Sequence, residues 1–180
     1  MNLEIDNTRI EHSFDRIAKD LLTTKALYVN KKIFRFTEIE FYYFNEKYHK
    51  DEYTHEHERH SGEWRFHNQG IDITFSSDNA SDGGILIRGI LSDLKFVNGP
   101  KKSIGKIFEA FGKVTEPTSI VLKDAEKRET TVIKTFRHLP NKITFPDFHE
   151  KHYRYLTDLE NLKIDSRIKQ KIQENHTVVL

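Results

Sequence analysis

The sequence predicts a single α+β domain over residues 1–180, with mostly antiparallel strands and about three helices. Many short β-branched and aromatic runs lie between turn residues, whereas only a few stretches have helical spacing. A chain of 180 residues is long enough to bury one core. It contains no repeat, low-complexity tract or linker that would divide it.

The first half of the chain predicts a helix, two strands and a long loop. Helical spacing of apolar residues behind the capping residue Ser13 predicts a helix over residues 13–24. A strand at 26–29 and a turn at 30–32 lead into a long strand at 33–43. Residues 45–61 are polar and rich in His and Glu, without a steady period. We interpret them as a loop, and loops of that length are usually functional or mobile.

The second half predicts shorter elements. Its strands are expected at residues 64–66, 71–75, 83–90, 119–122, 131–137 and 153–156. Turns separate several of them, at residues 68–70, 76–82 and 123–129. The two remaining helices are expected at residues 103–111, after a break at 98–100, and at residues 165–174.

Composition excludes several classes of protein. The chain has no cysteine, which removes disulfides, thiolate zinc sites and cysteine nucleophiles. Its 29 basic and 28 acidic residues nearly balance, so a nucleic-acid partner is neither required nor excluded. The N-terminus lacks the pattern of a secretory signal, and no apolar run approaches the ~20 residues that span a bilayer. We therefore expect a cytoplasmic protein with no membrane partner.

The segment at residues 36–43 is the most informative part of the chain. Its period of two places Glu38 and Glu40 on one strand face together with Tyr42, while Ile39 and Phe41 point to the other face. A solvated polar face is the simpler interpretation of the two glutamates. A carboxylate desolvated beside an aromatic ring is the alternative, and such a group can act as a general base.

The histidine-rich loop also has more than one interpretation. His55, His57 and His60 alternate with glutamates, and imidazole is a common zinc donor, so a metal-dependent hydrolase is one hypothesis. The spacing matches no established zinc motif, which favours a solvated loop. A third interpretation is that one histidine acts on a substrate together with Glu40.

Three further features lie within or after the predicted strand at 83–90. Gly83 and Gly84 precede a strand rather than a helix, so they indicate a tight turn and not a phosphate loop. Arg88 emerges from an apolar run and is expected either to pair with Glu38 or to contact an anion. The lysines at 101–102 precede a predicted helix, an arrangement that favours an anion.

Taken in order, these segments resemble the alkyladenine (3-methyladenine) DNA glycosylases. Residues 18–27 resemble that family's Leu-Leu-Gly-Lys helix end, and residues 38–42 resemble its Glu-Thr-Glu-Ala-Tyr strand. Residues 51–55 are similar to its Asp-Glu-Ala-Ala-His loop, residues 86–89 to its Leu-Leu-Arg-Ala strand, and residues 99–100 to its Gly-Pro turn. The chain thus looks like a divergent relative, and the resemblance implies a curved, mainly antiparallel sheet.

The resemblance implies a DNA base-excision hydrolase that flips a modified purine out of the helix and stacks it on aromatic rings. By carry-over, Glu40 would activate water and His55 would bond to base or sugar. Tyr42 would stack on the base, Trp64 or Phe66 would supply a second aromatic wall, and Arg88 would orient the site. No metal or cofactor is implied, and the partner would be damaged DNA or another nucleobase-containing ligand. A catalytically inactive member of the same fold, binding a nucleotide or a protein, is the main alternative.

Overall fold

The computed structural model describes residues 1–75, 80–140 and 146–179. Within them lie three α-helices: α1 (Ile10–Thr23), α2 (Pro100–Phe108) and α3 (Ser166–Glu174). The strands are β1 (Lys25–Val29), β2 (Lys32–Asn45), β3 (His49–Lys50), β4 (Trp64–His67), β5 (Gly70–Thr74), β6 (Ser81–Ser92), β7 (Lys95–Asn98), β8 (Ile120–Asp124), β9 (Ile133–Thr135), β10 (Arg154–Leu156) and β11 (Thr177–Val178).

β2 is the central strand of the sheet. It pairs with β6 along most of its length, and its other edge pairs in turn with β1, β10 and β3, always antiparallel. The strand path β11-β9-β10-β2-β6-β5-β4 is open and the sheet is uncurled, where the family resemblance implied a curved one. The predicted α+β class, with antiparallel strands and three helices in the described residues, is confirmed.

The main core lies on one face of this sheet. Ile39, Phe41 and Tyr43 of β2 point into it, as their period of two predicts. Phe14 of α1 stacks on Phe41, with the ring centroids 4.5 Å apart, and α2 contributes Ile107 to the same core. The alternate residues of β2 therefore face the other side of the sheet, away from this core.

A smaller apolar cluster covers the C-terminal part of the chain. It contains Ile133 of β9, Leu156 of β10 and Ile172 of α3, together with Leu162 from the segment before α3. α3 packs on this cluster through Ile172, and antiparallel pairing places β10 between β9 and β2. That position determines which side chains of β10 reach the polar face of β2.

Several predicted boundaries are wrong, for identifiable reasons. α1 begins at Ile10, and Ser13 lies inside it, where its hydroxyl accepts a hydrogen bond from the Asp6 amide. α2 begins at Pro100 instead of Ser103, because proline is well suited to the first helical turn. Of the turn predicted at 76–82, residues 76–79 lie outside the described residues.

The strand β7 was absent from the prediction. It forms a hairpin with β6 through Asp93 and Leu94, whose φ angles are 49° and 60°. Two consecutive positive φ angles are typical of a tight hairpin turn, which normally carries Asn or Gly. Leu94 lacks that signature, so the sequence did not reveal the hairpin. The short strands β3 and β11 were missed as well.

Two glycines should respond to alanine in opposite directions. A Cβ on Gly83 would lie 2.6 Å from the Tyr42 carbonyl oxygen, so Gly83→Ala should destabilise the fold by about 1–3 kcal/mol. A Cβ on Gly105 in α2 would meet nothing within 4 Å, so Gly105→Ala should stabilise it by about 0.5–1 kcal/mol. Urea unfolding of both variants measures this. Equal shifts of the two midpoints would contradict the assigned strand and helix environments.

Candidate functional site

A cavity of about 480 Å³ opens on the face of the sheet opposite the main core. Its walls come from the strands β2, β4, β5 and β6, from the first residue of α2, from the loop after β3 and from residues 138–140. The lining side chains that carry polar or charged groups are Tyr42, Glu52, Tyr53, Thr54, His55, His57, Arg65, His67, Gln69, Asp72, Arg88 and His138. Gly83, Gly84 and Leu86 of β6 also line it.

Glu40 lies directly behind this lining. Its carboxylate Oε2 accepts a hydrogen bond of 2.8 Å from the Tyr42 hydroxyl, and the residue is only 1% exposed. Oε1 is buried and accepts no hydrogen bond from the described residues, although Arg154 Nε lies 4.0 Å away. Burial, and then the charge of Glu40, raise the pKa of Tyr42 well above its ordinary value. The Tyr42 hydroxyl is therefore a hydrogen-bond donor at neutral pH.

Arg88 joins the cavity to a buried cluster of four charges. Its Nε donates to Glu38 Oε1 at 2.9 Å and its Nη1 to Glu40 Oε2 at 3.2 Å. Arg154 donates to the same oxygen of Glu38 at 2.8 Å. The predicted pair of Arg88 with Glu38 is thus present, and the Arg88 side chain, 23% exposed, also reaches the cavity. Two carboxylates and two guanidinium groups balance one another in this cluster.

The environment of Arg88 keeps it charged. Burial alone would lower the pKa of the guanidinium, but the charges of Glu40 and Glu38 outweigh it and raise the pKa above the ordinary value. Nη2 of Arg88 donates no hydrogen bond within the described part of the chain. The guanidinium is consequently a permanent cation on the cavity wall.

Local backbone features place these charges. The pairing of β2 with β6 is irregular between Phe36 and Ile39, which marks a β-bulge around Glu38. Opposite it, a Cβ on Gly89 would lie 2.7 Å from Thr37 Oγ1 and 2.9 Å from Glu38 Cβ, so a glycine lets the strands approach there. On the other edge of β2, Arg154 stands opposite Glu40 in the register.

A second buried ion pair holds the loop that carries His55. Arg137 donates to both carboxylate oxygens of Asp51, at 2.7 and 3.1 Å, and both side chains are fully buried. His55 follows on the cavity wall and is exposed. His57 accepts at Nδ1 from the Arg59 amide and donates from Nε2 to the Gly83 carbonyl, 2.9 Å away. These two bonds select one neutral tautomer of His57.

Asp72 is a further polar residue on the cavity wall, and the sequence did not predict it. Asp72 of β5 is 7% exposed, and its Oδ2 accepts from Arg65 Nη1 at 3.1 Å. His67 Nε2 lies 3.0 Å from Oδ1, without hydrogen-bond alignment. The available signal was a single carboxylate in β5, where an aspartate interrupts an otherwise β-forming run.

The structure does not bring every predicted residue to the cavity. Tyr42, His55 and Arg88 line it together, and Glu40 lies behind them. Trp64 packs against the main core instead, and Phe66 is 49% exposed and stacks on Phe108 of α2. Because β4 alternates, its cavity-facing residues are Arg65 and His67.

The metal hypothesis has no support in the described ranges. Within residues 1–75, 80–140 and 146–179, no group of three or more His, Cys, Asp or Glu side chains is arranged to hold a metal ion. His55 and His57 lie on the cavity wall, whereas His60 is exposed and donates its amide to Glu63 Oε2.

Among the described residues, no helix is long and apolar enough to cross a membrane. A scan against protein-family models finds no match to this chain, and a search of curated proteins finds none either.

Proposed function

We propose that this protein hydrolyses the N-glycosidic bond of a modified, alkylated purine, with Glu40 activating the attacking water, and that its fold is of the glycosylase type. The observation that carries the proposal is the convergence of Tyr42, His55 and Arg88 on one cavity, with the Glu40 carboxylate bonded to Tyr42 and Arg88. These residues come from distant parts of the sequence. The cytoplasmic location predicted from the sequence belongs to the same proposal.

Each residue has a distinct role in this mechanism. The base occupies the cavity against the Tyr42 ring, and water adds to the sugar C1′ as the bond to the base nitrogen breaks. The bonding electron pair goes to the base, whose ring alkylation makes it cationic, so the base leaves as a neutral molecule. Glu40 accepts the proton of that water, while Tyr42 and Arg88 fix the carboxylate by hydrogen bonds of 2.8 and 3.2 Å. Exposed His55 donates to the base or the sugar.

The wall formed by β4 and β5 suits recognition of a base edge. Asp72 and Arg65 are paired on this wall and His67 lies beside them, while Asp72 Oδ1 and His67 Nε2 are buried and have no hydrogen-bond partner among the described residues. His67 Nδ1 accepts from the Gln69 amide, so the neutral ring carries its proton on Nε2. Purines combine donors and acceptors on their edges, and a mixed set of this kind complements them. Gly84 leaves the floor beside Asp72 free of a side chain.

A second candidate is binding without catalysis. The observation in its favour is that Glu40 is 1% exposed, is paired with Arg88 and does not line the cavity. In that case the same cavity holds a nucleotide or the side chain of a protein partner, and the buried charges are structural.

Free-base release separates the two candidates. Wild-type protein is incubated with alkylated single-stranded and duplex DNA, with and without a metal chelator, and released bases are quantified by chromatography. Release that survives the chelator supports the glycosylase. Binding of the same oligonucleotides with no release above the protein-free rate would replace it with the binding candidate.

A further inference from the structure

Arg137 contacts Tyr42 of β2 and Asp51 at the start of the loop after β3, and it directly precedes the lining residues 138–140, without lining the cavity itself. We propose that it is a positioning residue, which holds the Tyr42 ring and the loop that begins at Asp51 in the geometry that accepts a planar base. This inference rests on the proposed function for the identity of the ligand, but the ordering of the walls is a property of the protein alone.

The guanidinium fixes the distance between a strand and a loop. Arg137 Nη1 donates to the Phe41 carbonyl at 2.9 Å and to Asp51 Oδ2 at 2.7 Å, while Nη2 donates to Asp51 Oδ1 at 3.1 Å. Burial alone would lower the pKa of Arg137, but the charge of Asp51 outweighs it and raises the pKa. The guanidinium therefore stays protonated, and all of its N–H groups remain donors.

The same guanidinium supports an aromatic wall from behind. Its Cζ lies 4.5 Å from the centroid of the Tyr42 ring and 5.4 Å from that of Tyr153. Tyr42 lines the cavity whereas Arg137 does not. The hydroxyl of Tyr42 is held by Glu40, so the ring is fixed both at its tip and over its rear face. A ring fixed in this way is already ordered before a ligand stacks on it, so binding loses less conformational entropy.

The loop is anchored through Asp51. The Asp51 carbonyl accepts from the Thr54 amide at 2.9 Å, and its carboxylate accepts from the Tyr53 amide at 3.3 Å. The Tyr53 hydroxyl in turn donates to the Pro140 carbonyl at 2.9 Å. Residues 138–140 directly follow Arg137 in the chain and line the same cavity, so this one residue adjoins all three walls.

Stability alone does not explain this arrangement. Replacing a buried ion pair by apolar residues of similar size is often neutral or stabilising, because the pair loses hydration on both sides. Lysine cannot reproduce it, since an ammonium is a point charge without a planar fork or a stacking face. The contacts to Phe41, Asp51 and Tyr42 together use the features that distinguish arginine.

The experiment compares Arg137→Lys and the apolar double variant Arg137→Met/Asp51→Val with wild type. Arg128→Met, which breaks the pair with Asp158, is the matched control because neither residue lines the cavity. Each protein is titrated with a single-stranded oligonucleotide containing 2-aminopurine, whose fluorescence reports stacking on an aromatic ring. Trypsin cleavage at exposed Lys50 and Arg59 measures the order of the loop, and thermal melting establishes that each variant is folded.

We expect both Arg137 variants to bind the probe about 10–100-fold more weakly and to quench it less at saturation. Cleavage at Lys50 and Arg59 should accelerate, whereas Arg128→Met should behave as wild type. A folded Arg137→Lys with wild-type quenching and cleavage rates would overturn the inference, and the double variant decides it if lysine prevents folding. If wild type does not bind the probe, the cleavage rates alone decide whether Arg137 orders the walls. Base release separately decides the proposed function.

Discussion

Replacing Glu40 with glutamine is expected to reduce base release from alkylated DNA by about 10²–10⁴-fold, the usual contribution of a general base. Glutamine keeps the size of the side chain and can still accept a hydrogen bond from the Tyr42 hydroxyl, which now bonds to Oε2. It cannot take a proton from water. Initial rates of free-base release from the same substrate, at protein concentrations that saturate it, measure the effect.

Two glutamates on the same structure provide the controls. Glu52→Gln alters an exposed carboxylate on the rim of the cavity and should leave the rate within about twofold of wild type, because surface charges act weakly. Glu38→Gln removes one charge from the cluster of Glu38, Glu40, Arg88 and Arg154 and should cost less than Glu40→Gln. Equal losses in Glu38→Gln and Glu40→Gln would assign the effect to the charge of the cluster and not to a base.

Arg154→Met should lower the free energy of unfolding by about 3–5 kcal/mol, because it removes one partner from a buried ion pair. Arg154 is buried beside Glu38 and donates to it from Nε at 2.8 Å. Methionine fills much of the same volume but leaves the Glu38 carboxylate with Arg88 as its ion-pair partner within the described residues. Urea unfolding followed by circular dichroism gives the change.

Two further variants test whether the loss comes from the buried charge. Lys32→Met breaks an ion pair with Asp93 in which both side chains are more than half exposed, at 56% and 66%, and should change stability by less than about 1 kcal/mol. Arg154→Met combined with Glu38→Gln should recover part of the loss, because the unpaired charge is then absent. A double variant less stable than Arg154→Met would contradict this explanation.

The sequence predicted the elements whose signals are local. Alternation along β2 placed Glu38, Glu40 and Tyr42 on the face away from the core, and helical spacing located α1 to within three residues at its start. The same alternation, applied to β4, would have separated Arg65 and His67 from Trp64 and Phe66. We predicted Trp64 and Phe66 as stacking walls because their rings can stack on a base. The alternation of the strand instead places Arg65 and His67 in the cavity.

The site residues that the sequence did not predict depend on contacts between distant segments. Asp51 and Arg137 are 86 positions apart, and neither has a local pattern that predicts the other. Asp72 faces the cavity only because β5 pairs with β6 in a register that sets it opposite Leu86. Alternation with Ile71 and Ile73 sets Asp72 on the face away from the core, but the pairing of β5 with β6, which places it in this cavity, joins segments that the sequence does not link locally.

The position of Arg154 also has a consequence for synthesis of the chain. Glu38 and Arg154 are separated by 116 residues, whereas Glu38 and Arg88 are separated by 50. At about 5–20 residues synthesised per second, roughly 6–23 s pass between the synthesis of Glu38 and that of Arg154. During that interval the edge of β2 that later receives β10 is an unpaired strand edge bearing excess negative charge. A chain that ends before residue 154 would leave this edge of β2 unpaired and open to pairing with other chains.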